Sequence, residues 1–105
     1  MRKKTVTARA NRELHAIRVY TLKNFGAEQA AKYIRELRLK MEQLRHQPNI
    51  GTDRSEEFGL NMHSCFVGSH TVFYTFDDEN ITIMTIMHQS SLPQKHIPYR
   101  PDDKK

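Results

Sequence analysis

The chain of 105 residues has one cysteine, Cys65, and no tryptophan. A single thiol closes no internal disulfide and supplies too little for a cysteine-based zinc site. The fold must therefore stand on packing alone, as in proteins of a reducing cytoplasm. Glycine and proline are scarce, four of each, which excludes low-complexity and collagen-like chains. No apolar run approaches the ~20 residues of a membrane-spanning helix. Met1-Arg2-Lys3-Lys4 leads into polar Thr5-Val6-Thr7 rather than the apolar core of a signal peptide, so neither export nor a membrane partner is predicted. One absence is local: between Gly59 and Gln89 there is not one Lys or Arg, although the whole chain carries 17.

What is present suits one water-soluble core. The mass is 12.4 kDa and 37% of residues are hydrophobic, far below the roughly 250–300 residues at which single cores divide. The net charge of +5 is unevenly spread. Residues 1–47 hold 12 Lys/Arg against 4 Asp/Glu, whereas residues 48–105 hold 5 against 8. The basic field belongs to the first half and fits an acidic protein, nucleic acid or an anionic surface, which charge alone does not rank.

Periodicity predicts a helical hairpin followed by a sheet. Leu14, Ile17 and Thr21, with Ala10 before them, recur at helical spacing through Asn11–Lys23, and Asn24-Phe25-Gly26 breaks that pattern. Ala27, Ala30, Ile34, Leu37, Met41 and Leu44 form a second stripe, stopped by Pro48-Asn49-Ile50-Gly51. Two or three linking residues make the helices antiparallel. Met62–Val67, His70–Phe76 and Ile81–His88 are rich in β-branched and aromatic residues and read as an antiparallel meander. Thr5-Val6-Thr7 would add a short strand, giving an α+β fold in which an antiparallel two-helix hairpin packs on a three- to four-stranded antiparallel sheet. Gly51 to Gly59 reads as a polar loop. Residues 1–97 make one domain, and 98–105 read as a frayed polar tail.

Several segments together resemble a known family. Phe25-Gly26-Ala27-Glu28-Gln29-Ala30 with Tyr33 and Leu37, then Pro48-Asn49-Ile50-Gly51, Gly68-Ser69-His70-Thr71-Val72-Phe73-Tyr74, Ile81-Thr82-Ile83 and Ile86-Met87-His88-Gln89 are similar, in order, to the ParE branch of the RelE/ParE toxins. The stretch from Gln89 to His96 also resembles the end of some ParE toxins. The resemblance covers roughly residues 5–97 and implies the same α+β fold. It further implies the toxin of a type II toxin–antitoxin pair that inhibits DNA gyrase so that cleaved DNA accumulates. An acidic, ParD-like antitoxin would neutralise it in a hetero-oligomer, and no cofactor is implied. The RelE branch uses the same fold to cut mRNA on the ribosome, so the site must decide between them.

RNA cleavage through the 2′-hydroxyl needs a base, an acid and cations around the phosphate. RelE-type members resemble one another in carrying Lys or Arg on the sheet, where this chain has His70, His88 and Gln89 and no cation. His70 and His88 are the alternative nuclease candidates, because two imidazoles can serve as base and acid near neutrality. Register decides whether they meet. A two- or four-residue turn pairs Phe76 with Ile81 and sets the imidazoles on opposite faces, whereas a three-residue turn pairs them directly. His63 lies four residues along its strand, about 13 Å from that position, too far to share a metal. Cys65 reads as a buried inert thiol. No metal site is predicted.

A gyrase inhibitor that acts by binding needs a surface rather than a catalytic group. The expected contacts for target or antitoxin are Arg12, Arg18, Lys32, Arg35 and Arg38 on the hairpin, with Leu92, Lys95 and His96 in the tail. ParE relatives often carry Arg where Met62-His63-Ser64 and Thr85 stand here. That departure keeps open an altered target, or a decayed member that still binds its antitoxin.

Overall fold

The computed structural model describes residues 2–59 and 61–90. Strand β1 (Lys3–Val6) leads into helix α1 (Ala8–Phe25) and helix α2 (Ala27–His46). A 3-10 turn at Pro48–Ile50, strand β2 (Thr52–Asp53) and the single-turn helix α3 (Ser55–Phe58) follow. Strands β3 (His63–Val67), β4 (His70–Phe76) and β5 (Asn80–His88) complete the described chain. The sheet has five strands in the order β1-β5-β4-β3-β2. It is therefore larger than the three or four strands expected, and mixed rather than antiparallel, because β1 runs parallel to β5 with Val6 beside Ile83.

Each helix boundary has a local cause. Thr7, expected at the end of a strand, instead caps α1, its Oγ1 accepting the Ala10 N–H at 3.0 Å. Helix α1 continues past Lys23 to Phe25, so the link to α2 is the single residue Gly26. Its φ of 92° ends α1, its N–H donates to Leu22 O, and its own carbonyl accepts from Ala30 at the start of α2.

The hairpin covers one face of the sheet. Ala10, Leu14 and Ile17 of α1 and Leu37, Met41 and Leu44 of α2 are buried against Val72, Tyr74, Ile81, Ile83 and Ile86. Each large side chain removed from water in this way stabilises the fold by about 1.5–3 kcal/mol. Ile34 is half-buried and Ala27 is exposed, so the inward stripe of α2 is narrower at its start than the spacing suggests. A second, smaller cluster joins Phe58, Met62, Phe73 and Met87. It places α3 and β2 where the sequence reads as a polar loop, and Phe58 is fully buried.

Candidate functional site

The register between β4 and β5 changes partway along. Asp77 to Glu79 and the start of β5 make the turn that pairs Phe76 with Ile81, the arrangement expected to separate the two histidines. Tyr74 still pairs with Ile83, but Phe73 pairs with Thr85, so Met84 is an extra residue. From that bulge onward the register has slipped by one, and His70 lies opposite His88. Two side chains from outside the sheet hold the bulge. The Thr7 hydroxyl donates to Met84 O at 2.8 Å, and the Thr7 N–H donates to Ile83 O at 3.1 Å. The Glu13 carboxylate of α1 accepts the Thr85 hydroxyl and the Ile86 N–H, both at 2.8 Å.

The imidazole pair has a defined surrounding. The ring centroids of His70 and His88 are 5.3 Å apart with the planes nearly perpendicular. Tyr33, from α2, places its hydroxyl at the turn between β3 and β4, where it donates to Val67 O at 2.9 Å and accepts the Ser69 N–H at 3.2 Å. The same oxygen is 2.7 Å from His70 Nδ1. Since the hydroxyl proton goes to Val67, the His70 ring donates from Nδ1. His88 Nδ1 accepts the Ser90 N–H at 3.1 Å and lies 2.8 Å from Ser90 Oγ. Burial, and secondarily the charge of His88, hold the His70 pKa below its ordinary value, so that ring is neutral near pH 7. Gln89 closes this end of the sheet, its N–H donating to Ser69 O at 2.9 Å and its side-chain amide to Gly68 O at 3.1 Å.

Both histidines border a groove of about 730 Å³ between the C-terminal half of α1, the start of α2 and the ends of β4 and β5. Its walls include Ile17, Tyr20, Phe25 and Tyr33, and no Lys or Arg among the described residues lines it. Tyr20 and Phe25 are 63% and 66% exposed, a large apolar area to leave in water.

The opposite face of the sheet holds a cation that the sequence did not place there. Arg54 precedes the cation-free stretch, but its guanidinium lies 5.1 Å from the Phe58 ring and 5.6 Å from Phe73, and it donates to Ser64 Oγ at 3.2 Å. With Phe66, Thr71, Met87 and His88 it lines a second hollow of about 390 Å³. Its charge is held by Glu57, whose carboxyl the Arg54 hydrogen bond keeps below the usual range. The available signal was Asp53-Arg54-Ser55. Asp53 Oδ1 accepts the Ser55 N–H at 2.8 Å and starts the short helix that carries Phe58 inward and sets the exposed Glu57 beside Arg54.

Residues 5–93 match the family model described as the ParE toxin of the type II toxin–antitoxin system parDE. The chain belongs to the ParE toxin family. Toxin ParE1 of Caulobacter vibrioides (strain ATCC 19089 / CIP 103742 / CB 15) is 33% identical over 92 residues, which is 88% of this chain and 94% of that protein. A solved structure described as a chromosomal ParDE toxin–antitoxin system from P. aeruginosa superposes with a TM-score of 0.72 at 20% identity, covering 84% of this chain and 96% of that one, a likeness of fold.

Several residues of the ParE resemblance meet at one point. A Cβ on Gly68, whose φ is 54°, would run into the Tyr33 ring. Gly68 therefore lets that ring lie against the turn where its hydroxyl meets Val67, Ser69 and His70. In the Pro48-Asn49-Ile50-Gly51 segment, the Tyr74 hydroxyl donates to Pro48 O at 2.6 Å, and a Cβ on Gly51 would occupy the space of that hydroxyl. Burial pushes the Tyr74 pKa up to about 12.

The basic residues stand apart from the groove walls. Arg12, Arg18, Lys32, Arg35 and Arg38 are all exposed on the hairpin, and none forms an ion pair among the described residues. The pairs observed there are Lys4–Glu42, Arg9–Glu13, Arg45–Glu42 and Arg54–Glu57. Leu92, Lys95 and His96 lie outside the described residues, as does the 98–105 tail. Val67 pairs with His70, so His63 stands at the far end of β3. Its Nδ1 is 2.9 Å from Asn61 O and its ring packs on Phe76. Cys65 is half-buried against the main core. No group of three or more His, Cys, Asp or Glu among the described residues could hold a metal. No described helix is long and apolar enough to cross a membrane.

Proposed function

We propose that this chain acts by binding, as a toxin that engages DNA gyrase in the cytoplasm, stabilises its cleaved-DNA state and is neutralised by an acidic antitoxin. Membership of the ParE family supports the toxin role. The observation that carries a binding rather than a chemical mode is the composition of the groove. Among the described residues, no Lys or Arg lines the groove with its two histidines to neutralise a phosphate in a transition state. The exposed Arg12, Arg18, Lys32, Arg35 and Arg38 of the hairpin instead suit an acidic partner, which they would steer and orient. The antitoxin would cover Tyr20 and Phe25.

One observation favours a second reading. The bulge brings His70 and His88 side by side on neighbouring strands, a juxtaposition that acid–base cleavage of RNA would use. Purified gyrase, relaxed plasmid and this protein separate the two. Loss of supercoiling with accumulation of linear DNA, unchanged in a His70→Gln, His88→Gln double variant, is the expected result. Intact supercoiling by a protein shown to be folded would overturn the gyrase reading. Ribosome-dependent mRNA cleavage abolished by the double variant would establish the second.

A further inference from the structure

We propose that His70 and His88 form a two-histidine binding site for a divalent transition-metal ion of the zinc, nickel or copper type, open to the groove beside α1. Imidazole nitrogen is a ligand that these ions share. The bulge at Met84 places the two residues directly opposite on neighbouring antiparallel strands, so both rings leave the sheet side by side. A metal–nitrogen bond is about 2.0–2.1 Å, and two imidazoles on one tetrahedral ion then have ring centroids about 5 Å apart. The observed separation is 5.3 Å.

The outer partners are also in place. Ligating histidines are held by a hydrogen bond at the other ring nitrogen. His70 Nδ1 has Tyr33 Oη at 2.7 Å and His88 Nδ1 has Ser90 Oγ at 2.8 Å. That arrangement leaves Nε2 of both rings without a hydrogen-bond partner among the described residues. His70 already carries its proton on Nδ1, so its Nε2 lone pair is free. His88 has its proton on Nε2 and moves it to Nδ1 on metal binding. It then donates to Ser90 Oγ and gives up the Ser90 N–H bond, and no proton is released. The groove leaves room for water in the remaining coordination positions.

The site is tested on the full-length protein with Zn2+ by calorimetric titration and with Cu2+ by electron paramagnetic resonance. The expected result is one saturable ion per chain, with a copper spectrum split by two nitrogens. His88→Ala, a change at an exposed ring, should weaken Zn2+ binding at least tenfold and reduce the splitting to one nitrogen. Tyr33→Phe, which removes the outer partner of His70 together with the hydroxyl's bonds to Val67 and Ser69, should weaken binding by about 10-fold or more while the circular dichroism stays that of the folded state. A His15→Ala, His46→Ala variant should bind as the wild type does. Saturable binding that survives both His70→Ala and His88→Ala would overturn the assignment, as would absence of binding in a wild-type protein whose circular dichroism is that of the folded state. None of these readouts depends on gyrase or an antitoxin.

Discussion

Tyr74 shows how one atom fixes a distant segment. The residue is buried at the centre of β4, and its hydroxyl would be costly to leave without a partner in that setting. It donates to the carbonyl of Pro48, tying the 3-10 turn after α2 to the middle of the sheet. The turn can come that close because position 51 has no Cβ. Tyr74→Phe should destabilise the protein by about 1–3 kcal/mol, since the Pro48 carbonyl loses its donor. Gly51→Ala should cost at least as much, about 1–3 kcal/mol from overpacking alone. The two are coupled, because the added methyl meets the hydroxyl that Tyr74→Phe removes. Urea unfolding of both single variants and the double variant should therefore show a double cost smaller than the sum by roughly 1 kcal/mol. Strict additivity would show that the hydroxyl and position 51 do not share that space.

At the scale of elements, the bulge in β5 places the two histidines together, and its support comes from α1 and the residue that caps it. Glu13 accepts the N–H of Ile86, two residues past the bulge, and Thr7 satisfies the carbonyl of Met84. Glu13→Ala should leave the Ile86 amide without an acceptor, at a cost of about 1–3 kcal/mol. Amide exchange at Ile86 and Met87 should quicken more than at Thr82 or Ile83, whereas Glu13→Gln, which keeps an acceptor oxygen, should lie between. Uniform acceleration across β5 would argue that Glu13 supports global stability rather than the bulge.

The same feature marks the limit of what the sequence discloses. The helices, their inward stripes and three of the strands follow from periodicity and from Gly26, Gly68 and the acidic turn after Phe76, because those signals are local. The four-residue turn between β4 and β5 predicts the register next to it correctly, through Tyr74 and Ile83. It gives no hint of the slip, since nothing in Ile83-Met84-Thr85 distinguishes a bulge from regular pairing. The slip depends on Glu13, 72 residues away from Thr85. Arg54 is hidden for a related reason: its polar neighbours mask the short helix that carries Phe58 into the second cluster.

Across the whole molecule, charge and apolar surface are separated. The hairpin turns Arg12, Arg18, Lys32, Arg35 and Arg38 to solvent, while the groove beside its Gly26 turn is mostly apolar and, among the described residues, holds only the imidazoles as ionisable nitrogen groups. A partner with acidic and apolar residues would be attracted by the first surface and retained by the second. Exposed charges of this kind act on encounter more than on dissociation and weaken with salt. Reversing Arg35 and Arg38 to Glu should leave stability within about 0.5 kcal/mol, since neither side chain is buried. The association rate with an acidic antitoxin should fall by about tenfold at low salt and converge on the wild-type rate as salt is raised. Tyr20→Ala with Phe25→Ala should instead raise the dissociation rate with little change in salt dependence, because those rings are the exposed apolar part of the groove. If the charge reversal changed dissociation alone, or if the aromatic pair altered only the salt slope, the division of labour between helix surface and groove would fail. The basic residues would then have to lie within the packed interface itself.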